Sequence, residues 1–104
     1  MKKLIYFTLF FSGLLSVGNS WAASPYAGHE KAAAVCSQCH GIVTPSADAP
    51  FPPLAGRNAD YLKTALKQYR DKTRVSDIMN AVAGSLSDND IDNIASYYSN
   101  VKRQ

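Results

Sequence analysis

The chain has 104 residues, enough for one small domain, with 11 Lys and Arg against 8 Asp and Glu and a formal net charge of +3. Two of the cations, Lys2 and Lys3, stand at the extreme N-terminus; without them nine basic residues face 8 acidic ones, a net of +1. That balance gives no support for nucleic-acid binding, which would call for a clustered basic face. Lys2 and Lys3 open a run, Leu4 to Val17, that is almost entirely apolar over 14 residues. Ser20 and Ala22 then put small residues where a signal peptidase reads, and Ala23 follows. This is the pattern of a cleaved secretory signal peptide. A spanning helix needs about 20 apolar residues, so the run is short for an anchor, and no cysteine near the cut offers a lipid attachment. Residues 1–22 are expected to be removed, give or take a residue or two. Residues 23–104 then form the domain, exported to the periplasm with no stable membrane span.

Ser24 to Tyr26 reads as a short arm. Gly28 to Ser37 reads as a helix on the strength of Glu30, Lys31, Ala32, Ala33 and Ala34. Four prolines (Pro45, Pro50, Pro52, Pro53) make 44–53 a loop, and Phe51 within it needs apolar cover. Asn58 is a good N-cap with Asp60 in the first turn. Tyr61, Leu62, Ala65, Leu66 and Tyr69 then form one apolar stripe of a helix fading by Lys72. Val75, Ile78, Met79 and Val82 mark a shorter helix closed at Gly84. Ser87 and Asp90 form a capping box for the last helix, with Ile91, Ile94, Ala95, Tyr98 and Val101 as its buried stripe. Lys102 and Arg103 suit its negative end. Nothing alternates as a strand does, so the fold class is all-α.

A domain of about 80 residues buries a thin core and needs a stabiliser beyond it. A disulfide between Cys36 and Cys39 would close too small a loop to help much. Cys36-Ser37-Gln38-Cys39-His40 is, however, a Cys-x-x-Cys-His pentapeptide, the attachment pattern of c-type haem. Two thiols join two vinyl groups on one porphyrin edge, and the adjacent imidazole lies under the iron as proximal ligand. A thioredoxin-like Cys-x-x-Cys belongs near a βαβ pattern, which is missing. A zinc site wants four ligands, and His29 would have to fold back from its helix to complete one. For the second axial position the chain beyond the leader has one methionine, Met79, 39 residues after His40 and so able to wrap round the haem. Met79 as a gap-filler of the core is the blander alternative. His29, seven residues before Cys36, falls on the proximal side and is taken as a surface histidine.

These pieces, with Gly28 and Ala32, Phe51-Pro52-Pro53-Leu54-Ala55-Gly56, Tyr61-Leu62, Leu86-Ser87-Asp88 and Ile94-Ala95-Ser96-Tyr97-Tyr98, make the chain resemble a class I c-type cytochrome. It is similar to the small soluble monohaem kind and to one domain of the periplasmic dihaem cytochromes. The resemblance implies a cytochrome c fold of three to four main helices round one covalent haem c. First and last helices would cross where Tyr97 presses on Gly28, which explains a glycine there despite its cost of roughly 1 kcal/mol. It also implies that the Pro52 carbonyl, or its neighbour in the doubled proline, accepts a hydrogen bond from His40, and that Leu54 lines the haem face. Arg57, and less so Arg74, are candidates for the propionates; Tyr61 and Tyr69 are more simply packed with wet hydroxyl tips. With His40 and Met79 closing both axial positions, the implied function is one-electron transfer without catalysis, through transient docking of redox proteins at the haem edge. The rivals are a haem subunit held by a dehydrogenase or oxidoreductase, and a sensor or peroxidase with a labile sixth ligand.

Overall fold

The computed structural model describes residues 22–44 and 51–102. The expected leader lies outside them except for Ala22, as do Pro45, Pro50 and Arg103. Five helices follow in order: α1 Pro25–Val35, α2 Ser37–His40, α3 Ala59–Asp71, α4 Asp77–Gly84 and α5 Asp88–Ser99, with no strand among the described residues. The all-α expectation therefore holds.

Every helix except α2 begins on a side-chain cap. Ser24 Oγ accepts the Ala27 N–H at 3.1 Å, and Pro25 sits in the first turn, where its missing N–H costs nothing. Ser24 to Tyr26 is thus a helix start rather than an arm. Cys36 interrupts the run with φ −111°, and α2 adds one turn that ends at Gly41, φ 69°. Asn58 caps α3 through Tyr61 N–H at 3.0 Å. Lys72 ends it in the left-handed region, φ 67°. Ser76 caps α4, and Ser87 and Asp90 form the reciprocal capping box of α5. That last helix stops at Ser99 and is closed by Asn100, whose Nδ2 donates to the Ser96 carbonyl at 2.7 Å. Val101 and Lys102 therefore lie past the helix, not on it as their pattern suggests.

The most extensive helix contact is α1 against α5. Gly28 is buried there, and a Cβ on it would collide with the Asn93 carbonyl and come within 2.8 Å of Tyr97 Cβ. The close approach is thus chiefly one backbone against another, with Tyr97 beside it. Asn93 is itself buried and ties α5 to the start of α1, its Oδ1 accepting the Ser24 N–H at 2.8 Å. Ala32, Ile91, Ile94, Ala95 and Tyr98 form the core of the crossing, which Leu62 and Leu86 extend. Arg70 fastens α3 to the start of α5, donating to the Leu86 carbonyl at 3.2 Å and to Asp88 Oδ1 at 2.7 Å.

Candidate cofactor site

One cavity of about 230 Å³ opens between α1–α2, the Phe51–Arg57 segment, α3 and α4. Its walls are aliphatic: Val35, Leu54, Leu62, Leu66, Val82 and Ile94 all face it. Burial of such side chains against a flat apolar group is favourable by roughly 25 cal/mol per Å² removed from water.

Cys36, Cys39 and His40 reach the cavity from the junction of α1 and α2. Cys36 and His40 are buried, Cys39 half-buried. The His40 ring is held from two sides. Its Nδ1 lies 2.7 Å from the Pro52 carbonyl, and a carbonyl only accepts, so Nδ1 carries the proton. Nε2 is then the nitrogen free to bind a metal. Phe51 leans over the same ring, centroids 5.8 Å apart, which gives that phenylalanine its cover. The doubled proline divides its work: Pro52 serves His40, while the Pro53 carbonyl accepts from Arg57 Nε at 2.9 Å. Behind the histidine, buried Tyr98 donates from its hydroxyl to the Gly41 carbonyl at 2.9 Å, which fixes the turn after His40.

Met79 enters the cavity from α4, half-buried, on an element remote in sequence from His40. Leu54 and Arg57 line it as well. Every residue singled out from the sequence for the site therefore meets in one cavity. His29 does not: it is exposed on α1, edge-on to Tyr97 at 5.1 Å.

The structure adds a polar rim that the sequence left undecided. Arg57 stacks on the Tyr61 ring and Arg74 on the Tyr69 ring, each 5.4 Å from the centroid. Tyr61 and then Tyr69, by hydrogen bonding, hold the Arg74 guanidinium above its ordinary pKa. Two cations and two phenols thus edge an otherwise apolar slot, an arrangement suited to the carboxylates of a largely hydrophobic ligand. Asn80, next to Met79, escaped notice altogether. Its one signal was a lone amide in a short apolar helix.

Two other uses of these residues fit poorly. A reactive thiol wants a lowered pKa. Burial instead pushes the Cys36 thiol up to about 11, against a small opposing effect of Lys31. Among the described residues no three His, Cys, Asp or Glu side chains are placed to hold a metal ion by themselves. An apolar slot with two thiols, one free imidazole nitrogen, a thioether and a cationic rim fits haem c.

Comparison with known proteins agrees. Residues 23–97 match the family profile described as cytochrome C oxidase, cbb3-type, subunit III. Cytochrome c-554(548) of Halomonas halodenitrificans is 38% identical over 81 residues, 75% of this chain and 96% of that protein. The thiosulfate dehydrogenase electron acceptor of Stutzerimonas stutzeri is 39% identical over 69 residues, which cover 64% of this chain but 32% of that protein. Among solved structures, reduced cytochrome c4 from Pseudomonas stutzeri superposes with a TM-score of 0.65 at 27% identity, over 77% of this chain and 50% of that one. This chain thus spans a third to a half of the longer relatives and nearly all of the short one. A structural likeness at that level, joined to a profile match over most of the chain, leaves one assignment: the chain belongs to the cytochrome c family, whose cofactor is covalent haem c.

Proposed function

We propose that this chain is a periplasmic electron carrier whose haem c is bound through Cys36 and Cys39 and ligated by His40 and Met79. The observation that carries the reading is the hydrogen bond from His40 Nδ1 to the Pro52 carbonyl, made beside two cysteines and across a cavity that Met79 also lines. When bound, haem c supplies one-electron chemistry at its iron. The chain's own part is to hold that chemistry still. Pro52 orients His40 and raises its basicity. Leu54, Leu62 and Ile94 keep water from the ring. Met79, which lines the same cavity, would hold the iron together with His40 and leave no position for a substrate, a carrier's arrangement rather than an enzyme's. Arg57 and Arg74 at the rim stand ready for the two propionates.

Docking belongs at the mouth of this cavity. Three of its large apolar lining residues are exposed: Ile78 at 55%, Tyr61 at 46% and Val35 at 37%. An apolar mouth of this kind suits brief contact with redox proteins over a small area. One relative is by name the electron acceptor of a thiosulfate dehydrogenase, and that favours a dehydrogenase as donor, whether met in passing or held as a fixed partner. Residues 1–22 direct export and are removed. No helix among the described residues is long and apolar enough to cross a membrane.

The test is spectroscopic. Purified from the periplasm, the protein is expected to keep its haem through denaturing electrophoresis and to show a far-red sulfur-to-iron absorption when oxidised. Met79→Ala should keep the haem but lose that band, fall in potential and bind cyanide or carbon monoxide. A variant with wild-type spectrum and potential would reject Met79 as ligand. A colourless wild-type protein would reject the whole reading. Light scattering then separates the free shuttle, a monomer, from a subunit that co-purifies with its dehydrogenase.

A further inference from the structure

We propose that Asn80 is the positioning residue for Met79: its side-chain amide fastens the helix that carries the methionine to the end of α3. The inference rests on Met79 being the second axial ligand. A thioether is a weak, neutral ligand, so its hold on a metal depends on how far the chain places it in advance. The element carrying it is poorly equipped to do so alone. α4 has eight residues, too few to persist as an isolated helix. The linker before it has little apolar grip, since Val75 is 83% exposed.

Asn80 supplies the grip instead. Its Nδ2 donates both hydrogens, to the Tyr69 carbonyl at 2.7 Å and the Arg74 carbonyl at 2.9 Å. Its Oδ1 accepts the Ser76 N–H at 3.0 Å. One half-buried side chain, adjacent to Met79, thereby joins the last turn of α3, the linker and the cap of α4. The Ser76 hydroxyl completes the frame by accepting the Met79 N–H at 3.2 Å. Lys72, left-handed, turns the chain so that the Thr73 and Arg74 N–H groups both reach the Gln68 carbonyl. Remove the two amide donors and this linker keeps its turn but loses its tie to α4.

Asn80→Asp makes that removal with almost no change of shape: it keeps an acceptor for Ser76, deletes both donors and sets a carboxylate against two carbonyl oxygens. The oxidised holoprotein is titrated with imidazole while the far-red band is followed. Imidazole should bind about tenfold more tightly, the equivalent of about one hydrogen bond lost from the competing state, and the reduction potential should fall. Arg70→Gln is the comparison. It cuts the contacts to Leu86 and Asp88, made from the same last turn of α3 but directed at α5 rather than α4, so it lowers thermal stability and leaves imidazole affinity alone. If Asn80→Asp moves the affinity no more than Arg70→Gln does, the proposal is overturned. Met79→Ala, run in parallel, separates the two layers of the argument. No response to Met79→Ala defeats the axial assignment, whereas a large response there with none in Asn80→Asp defeats only the role of Asn80. Should Asn80→Asp yield no holoprotein, Asn80→Ser is measured in the same way. Failure of both to hold haem also overturns the proposal, because it makes Asn80 a folding residue.

Discussion

Tyr98 shows how one side chain serves packing and site together. Its ring is fully buried in the α1–α5 core, and its hydroxyl leaves that core to reach the Gly41 carbonyl at 2.9 Å. Burial raises the phenol's pKa well above its ordinary value, so it stays a protonated donor at any pH the protein meets. Tyr98→Phe removes one hydrogen bond and no volume, at a cost of about 1 kcal/mol. For a domain of this size that is a fall of about 5 °C in Tm, measured on the holoprotein by circular dichroism. The haem spectrum should stay intact, because His40 keeps Pro52. A loss of the far-red band instead would mean that Gly41 holds the histidine more than Pro52 does. At this scale the sequence was legible where chemistry fixes spacing. Cys36, Cys39 and His40 stand at the spacing that two thioethers and one imidazole would need, and the structure brings them to one cavity with Met79. It was illegible where an amide or a guanidinium chooses among backbone carbonyls, as Asn80 and Arg57 do, because nothing local ranks those partners.

Between elements, two contacts carry consequences of opposite kind. At the α1–α5 crossing the Asn93 carbonyl occupies the space a Cβ on Gly28 would need. Gly28→Ala therefore has to force the helices apart, at about 3 kcal/mol, the upper end of overpacking costs. Chemical denaturation should show the midpoint falling with little change in slope, and a variant as stable as wild type would mean that the helices slide freely. The Arg70–Asp88 pair, by contrast, acts through pH. The Arg70 hydrogen bond, and then its charge, hold the Asp88 carboxyl below its ordinary 3.8. The folded state thus favours the ionised form. Its stabilising effect is complete above the ordinary value and fades as pH falls through the lower folded one. Asp88→Asn should therefore lower Tm at about pH 6 and approach wild type as pH falls progressively below the ordinary 3.8; a gap that does not narrow would show that Asp88 acts without its charge. Two helix starts were legible for a related reason: Asn58 and Ser87 are caps whose side chains act within three residues, whereas the caps Ser24 and Ser76 went unread. The ends were less so. α5 stops at Ser99, although Val101 and Lys102 continue its pattern, since periodicity has no term for where packing gives out.

Taken whole, the molecule is organised round a space its own side chains do not fill. Among the described residues, Tyr98, Ile91 and Ile94 are the large side chains buried completely, a small core even for a domain of this length. The cavity measures about 230 Å³. At about 24 cal/mol per Å³, a dry cavity of that size would cost about 5 kcal/mol, comparable with the entire net stability of such a domain. Flooding it is no better, because Leu54, Leu62, Leu66 and Ile94 line it and would meet water. α4 touches mainly α3, and the Phe51–Arg57 segment is held chiefly through His40, Arg57 and the Gly56 N–H to Tyr98. Covalent attachment is thus a folding device as much as a tether. Cys36→Ala combined with Cys39→Ala is expected to abolish attachment and, with it, the cooperative thermal transition. α1 and α5 should retain partial helix round their shared core, while the near-ultraviolet signal of the tyrosines flattens. Calorimetry on that double variant settles the point. A sharp endotherm within a few degrees of the holoprotein's would mean that the helices close without the cofactor, and the cavity would then be a consequence of the fold rather than its cause.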